Sequence, residues 1–181
     1  MKILKYKTSE FSTEQIDSMK KCCQKETANP SRESIIANYF IKKELATFYK
    51  CPIEDIMLEY NPRGKPYFRN DMKFNITHSK NLIFIAISEH EIGIDVECMR
   101  PLNLKLINKI ATQQERELLE KSEDINTDLI ELWTVKEAYF KLIGTGISKP
   151  HMISCQQIKE KVIIETEKNA EYILTTARFY D

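Results

Sequence analysis

The sequence predicts an α+β fold, on three observations. Three apolar runs separated by tight polar turns occupy residues 72–97, two long segments carry helical periodicity, and two more strand-like runs close the chain. In chain order, "KILKY" reads as an opening strand. "NPSRESIIANYFIKKELATFYK" reads as a helix capped by Asn29, with Pro30 in its first turn and Ile35, Ile36, Tyr39, Phe40 and Leu45 on one stripe. "DIMLEY" suggests a strand, with "NPRGKP" as the turn after it. "MKFNI", the turn "THSKN", "LIFIAIS", the turn "EHE" and "IGIDVE" make an expected antiparallel meander with a buried middle strand. "TQQERELLE" opens with the capping-box pair Thr112 and Glu115 and should be helical. "TDLIELWTVKEAYFKLIG" is a second helix, ending near Gly144, and "KVIIETE" and "EYILTTARF" are the closing strands. The expected division is an N-terminal lobe over residues 1–100 and a C-terminal lobe over residues 101–181.

A chain of 181 residues suffices for one sizeable domain or two small lobes sharing a core. Apolar residues make up 42% and charged residues 30%, the balance of a soluble globular protein. No apolar run approaches a membrane span, and "MKILKYKTSE" has no signal-peptide apolar region, so a cytoplasmic protein without a membrane partner is expected. The cysteines, Cys22, Cys23, Cys51, Cys98 and Cys155, are odd in number and fit no zinc spacing, which predicts reduced thiols. Zero net charge argues against nucleic acid as a partner. Residues 1–50 nevertheless carry ten Lys/Arg against six Asp/Glu, which suits a small polyanionic ligand or an ordinary solvated helix face.

In "GIDVECMR" a strand would put Asp95 and Glu97 on one face and Ile94 and Val96 on the other. Two neighbouring like charges suggest a shared cation or a solvated strand face. On the second long helix Trp133, Glu137 and Lys141 recur at four-residue spacing and line one side. Glu137 and Lys141 alone could be a surface pair worth about 0.3–0.5 kcal/mol. A tryptophan on the same side implies partial burial, where both charges need partners. Asp95, Glu97 and Glu137 together would be an oxygen-only donor set suited to Mg²⁺, with Lys141 placed to neutralise a phosphate. In "FNITHS", His78 stands between two hydroxyl residues, and in "RGKP" a glycine and a proline frame Lys65; each is a phosphate contact or an ordinary structural feature.

Taken in order, "RGKPYF", "FNITHS", "IGIDVE" and "WTVKEAYFKLIGTGIS" resemble the 4′-phosphopantetheinyl transferases, in their larger, monomeric class that primes nonribosomal peptide and polyketide synthases. The resemblance runs from residue 63 to residue 148. It implies two similar α+β lobes related by a pseudo-twofold, with coenzyme A in the cleft between them. It also implies a reaction: a serine hydroxyl of an apo acyl or peptidyl carrier protein attacks the β-phosphate of coenzyme A, and adenosine 3′,5′-bisphosphate leaves. By motif match, Asp95, Glu97 and Glu137 would hold Mg²⁺ on the pyrophosphate. Glu137 would deprotonate the serine, directly or through a water, and Lys141 would stabilise the leaving phosphate. Lys65, Thr77 and His78 match positions contacting coenzyme A phosphates, notably the one at the 3′ position. The likeness of "SIIANYFIKK" to the family's first long helix adds Ser34 and Lys21 near that phosphate, and by analogy residues 99–128 touch the carrier.

Two other functions compete. A Mg²⁺-dependent nuclease also gathers acids and a lysine, but many such strands place the lysine two residues after the acid, where Glu97 is followed by Cys98 and Met99. A non-catalytic coenzyme A-binding regulator predicts loss of an acid or of the lysine, and all four residues are present.

Overall fold

The computed structural model describes residues 1–22, 30–61, 64–69 and 71–180, which form two compact units, Met1–His90 and Glu91–Asp181. The division falls at His90/Glu91, before the expected residue 100, so "IGIDVE" lies in the second unit.

In the first unit, strand β1 (Lys2–Lys7) leads to helices α1 (Thr13–Cys22) and α2 (Arg32–Tyr49), the short pair β2 (Glu59–Tyr60) and β3 (Pro66–Tyr67), and the hairpin β4 (Lys73–Ser79) and β5 (Leu82–Ser88). The main sheet has the order β1-β5-β4, antiparallel throughout. "THS" belongs to β4 and not to a turn, with Thr77 opposite Phe84 and Ser79 opposite Leu82. The turn shrinks to Lys80 and Asn81, with Lys80 left-handed at φ 51°. α2 starts at Arg32, and Ser31 caps it by accepting the Ser34 N–H at 3.2 Å. The expected cap, Asn29, lies outside the described residues. Helix residues Ile36, Ile41 and Leu45 pack with Ile83 and Ile85 in the core, each burial stabilising by about 1.5–3 kcal/mol. "DIMLEY" yields a strand only at Glu59–Tyr60, and Ile53–Asp55 turns as a 3₁₀ helix.

The second unit holds β6 (Ile92–Cys98), α3 (Ile107–Ile110), α4 (Gln113–Leu119), α5 (Ile125–Ile143), α6 (Cys155–Lys159), and the hairpin β7 (Val162–Lys168) and β8 (Tyr172–Phe179). Its sheet order is β6-β8-β7, again antiparallel. The expected three-strand meander is therefore corrected: β5 pairs with β4 and β1, while β6 pairs with β8. Alternation specifies which face of a strand is buried, and it leaves the identity of the neighbour open. Asp124 caps α5 by accepting the Thr127 N–H at 3.1 Å, and left-handed Gly144 (φ 70°) ends it as expected.

Four cysteines, Cys22, Cys51, Cys98 and Cys155, are free thiols, and Cys23 lies outside the described residues. Burial pushes the Cys155 thiol up to about 12, so it is no nucleophile near neutral pH. No helix among the described residues is long and apolar enough to cross a membrane.

The predicted capping box at α4 forms. The Thr112 hydroxyl accepts the Glu115 N–H at 3.3 Å, and Glu115 Oε2 accepts the Thr112 N–H at 2.8 Å. The same Oε2 pairs at 2.6 Å with Lys136 of α5, whose side chain is fully buried. Desolvation raises the Glu115 pKa, but Lys136 and the N–H groups of Cys155 and Thr112 outweigh it and leave the carboxyl below its ordinary 4.5. Because the folded value is depressed, the stabilisation is complete above the unfolded pKa and is lost as pH falls through the folded one. Glu115→Gln should destabilise the protein by about 3 kcal/mol at neutral pH. Urea unfolding across acid pH should show the parental protein losing stability more steeply than E115Q below about pH 4.5. Parallel profiles would remove the buried pair from the account.

Candidate active site

β6 and α5 meet at Gly93. A Cβ placed there would lie 1.9 Å from the Ala138 carbonyl oxygen and 2.7 Å from the Leu142 nitrogen, so only glycine lets helix and strand approach at this point. Two residues along β6, on the same face, comes Asp95. Its Oδ1 accepts from Lys141 Nζ at 2.7 Å, with the Asp95 side chain 8% exposed and that of Lys141 28% exposed. Thr175, opposite Asp95 in the register, exchanges a 2.9 Å hydrogen bond with Thr134 of α5 and a 3.2 Å one with Thr166 of β7. Buried hydroxyls need such partners, and this row fixes α5 across the sheet level with Asp95.

The charges around α5 are coupled. Burial pushes the Glu137 carboxyl up to about 7; the negative charges of Asp95 and Glu97 act in the same direction, and Lys141 opposes them. Glu97 pairs with Arg100 at 3.2 Å. Asp95, Glu97, Glu137 and Lys141 therefore lie in one neighbourhood, as the spacing suggests. Among the described residues, however, no three His, Cys, Asp or Glu side chains are gathered closely enough to hold a metal ion. The donor chemistry fits a hard divalent cation, being carboxylate oxygens only with surplus negative charge. In this structure Asp95 and Glu97 have basic partners, and Glu137 has its proton affinity raised. Trp133 is half-buried against the cluster of Ile110, Leu119, Leu129 and Leu132, which accounts for its place on this helix without a ligand role.

The first unit has a pocket of about 550 Å³ that brings together Ser34 and His78, with Ser31, Asn38, Tyr60 and Ile76 among its walls. The N-terminal turn of α2 thus borders it, where backbone N–H groups favour an anion. Of the other expected phosphate contacts, Lys65 stands between Gly64 and Pro66, which both line the pocket, and its backbone N–H donates to Asn61 Oδ1 at 2.9 Å. Thr77 alternates with His78 on β4; its side chain is buried and is not in the pocket wall. Lys21 is exposed near the end of α1 and does not line the pocket. Sequence reasoning missed Asn38, whose amide donates to the Tyr60 hydroxyl at 2.8 Å in the pocket wall. The available signal was its position one turn after Ser34 on α2. It also missed Lys136, signalled by a lysine among the apolar residues Leu132, Val135, Tyr139 and Phe140.

Residues 91–179, nearly the whole second unit, match the profile of the 4′-phosphopantetheinyl transferase superfamily. The chain is 34% identical over 119 residues to 4′-phosphopantetheinyl transferase gsp of Aneurinibacillus migulanus, an alignment covering 65% of this chain and 50% of that protein. To psf-1 of Bacillus pumilus it is 30% identical over 122 residues, 65% of this chain and 52% of the relative. To Sfp of Bacillus subtilis (strain 168) it is 29% identical over 144 residues, 77% of this chain and 63% of the relative. Over residues 91–179 the chain is thus similar to the 4′-phosphopantetheinyl transferase superfamily. The similarity extends to Sfp, gsp and psf-1, and the alignments span about half to three-fifths of their length.

Gly93→Ala should force α5 off β6 and destabilise the protein by about 3 kcal/mol. A lowered urea midpoint is the expected reading, and an unchanged one would mean that the strand and helix do not meet at backbone distance.

Proposed function

We propose that the protein transfers 4′-phosphopantetheine from coenzyme A to a serine of an apo acyl or peptidyl carrier protein, acting as a monomer. The observation that carries this reading is the coupled set on β6 and α5: Asp95 paired with Lys141, Glu97 nearby, and a Glu137 carboxyl raised to about 7. Similarity to phosphopantetheinyl transferases supports it. The common strand order of the two units, first–third–second with a long helix after the first strand, supports a further reading of them as similar lobes.

Serine is a weak nucleophile at neutral pH, and a carboxylate whose proton affinity lies near neutrality is suited to accept its proton. Glu137 takes this role. The serine Oγ–phosphorus bond forms at the β-phosphate, the bond from that phosphorus to the bridging oxygen breaks, and adenosine 3′,5′-bisphosphate departs. Lys141 offsets negative charge on the departing phosphate as it shares its ammonium between Asp95 and the new anion. Asp95, Glu97 and Glu137 would hold Mg²⁺, which would supply neutralising charge for the pyrophosphate oxygens. His78 and Ser34, which line the α2 pocket, are assigned the 3′-phosphate, with Lys65 between the lining residues Gly64 and Pro66; Thr77 and Lys21, which do not line the pocket, are left out of this assignment.

Incubation with coenzyme A, Mg²⁺ and a panel of apo carriers should give one carrier a mass gain of one phosphopantetheine. No gain on any carrier would refute the reading. Asp95→Ala or Glu137→Ala should abolish the transfer under conditions where unfolding curves show the variant folded, so that the loss reports on the site and not on the scaffold. Parental turnover in either variant would remove it from the site. His78→Ala should weaken coenzyme A binding about tenfold, as loss of one charge-assisted contact does, and leave a 3′-dephospho analogue unaffected. Equal losses for both ligands would count against the phosphate role.

A further inference from the structure

Lys136 precedes Glu137 on α5, yet its side chain has no exposure at all. An ammonium has three donors, and all three are used: Ile110 O at 2.7 Å, Glu115 Oε2 at 2.6 Å and Pro150 O at 3.0 Å. Its partner Glu115 is equally committed, with Oε1 accepting the Cys155 N–H at 2.7 Å and Oε2 also accepting the Thr112 N–H. One buried pair thus ties α5 to the end of α3, the cap of α4, the turn at Pro150 and the start of α6. Such a network is costly to bury unless fully satisfied, and a fully satisfied one specifies a single arrangement.

The geometry has a consequence for the reacting groups. The contact of Gly93 with Ala138 sets how closely α5 sits on β6, and the Thr134–Thr175 bond anchors the same sheet-facing side, so both restraints act on one side of the helix and Lys136 adds one on another. Successive helical side chains are about 100° apart, so holding Lys136 on one flank fixes the direction of Glu137 and, one turn on, of Lys141. We propose that Lys136 is a positioning residue for phosphopantetheinyl transfer: its ammonium, clamped by Glu115 and two carbonyls, locks the rotation of α5 and so aims Glu137 and Lys141 at Asp95 and Glu97. The inference rests on the transferase reading for its kinetic consequence and on geometry alone for the clamp.

The test compares parental protein with Lys136→Met, which keeps the stem and removes the donors, at a temperature where unfolding curves show both folded. The expected result is a kcat lower by up to about 10²-fold, the scale of a misplacement near 1 Å, with the KM for coenzyme A unchanged. Hydrogen exchange should quicken at least about tenfold across residues 137–142 and stay parental in β1 to β5. If K136M does not fold, Lys136→Arg takes its place. Arginine keeps the charge, but its wider planar head cannot occupy the same three-acceptor pocket, and the same kinetic and exchange changes are expected. A folded variant with parental kcat overturns the proposal, as does one that loses affinity for coenzyme A in step with kcat. Should the parental protein itself transfer nothing to any carrier, the transferase reading fails separately. Exchange then decides the clamp, and parental protection over residues 137–142 in the variant overturns it.

Discussion

The second unit depends on the backbone-to-backbone approach of α5 and β6. Elsewhere in a sheet a layer of side chains separates helix from strand, and its thickness varies with the residues in it. At Gly93 that layer is missing, and the Ala138 carbonyl occupies the space a Cβ would take. The distance from the helix to the next inward residues of β6 is therefore short. Asp95, two positions on, comes within 2.7 Å of Lys141, less than one turn beyond Ala138. A carboxylate is the shortest acidic side chain when it is an aspartate, and only a close helix lets it meet a lysine while both are held back from solvent.

Three carboxylates and one lysine in a partly buried neighbourhood cannot all be ionised without compensation. The structure uses three different means. Asp95 is neutralised by Lys141, Glu97 by Arg100, and Glu137 by a proton affinity raised to about 7. Sequence reasoning expected a single remedy, one dication shared by all three. The difference is physical. Motif spacing states which faces the acids occupy, and the rotamers they adopt follow from whichever positive charge is within reach. Lysine and arginine on flexible stems are within reach here. An arrangement in which these charges are exchangeable suits chemistry that brings in phosphate oxygens and a cation together.

Long elements with strong periodicity were legible in the sequence. β5, β6, α4 and α5 form where "LIFIAIS", "IGIDVE", the Thr112–Glu115 cap and "WTVKEAYFK" place them. Strand partners were not legible, because the apolar residues of β6 would cover a core equally well beside β5 or β8. The polar "THS" read as a turn by composition, yet it extends β4 because Thr77 and Ser79 gain ladder positions opposite Phe84 and Leu82. Of the site, the acids and the lysine were readable from spacing, since they act at fixed offsets on single elements. Asn38 and Lys136 were not, because each matters through partners distant in sequence: Tyr60 for one, and Ile110, Glu115 and Pro150 for the other.

All the acid–base groups of the proposed reaction lie on one strand and one helix within one unit, and the superfamily profile covers that same stretch. Their mutual geometry is thus set locally, by Gly93 for distance and Lys136 for rotation, with the Thr134–Thr175 bond fixing position across the sheet. Three constraints of different kind leave a rigid helix little freedom against a sheet. The pocket of the other unit, proposed for the 3′-phosphate, is built differently, from the N-terminal turn of α2 and one face of β4, with hydroxyl, amide and imidazole groups and the Glu33 carboxylate in its wall. Holding a phosphate tolerates a looser frame than moving a proton does, because Coulomb attraction falls gently with distance while proton transfer requires hydrogen-bond reach. The fully buried Lys136, paired with Glu115, and the half-buried Glu137 accordingly lie on α5.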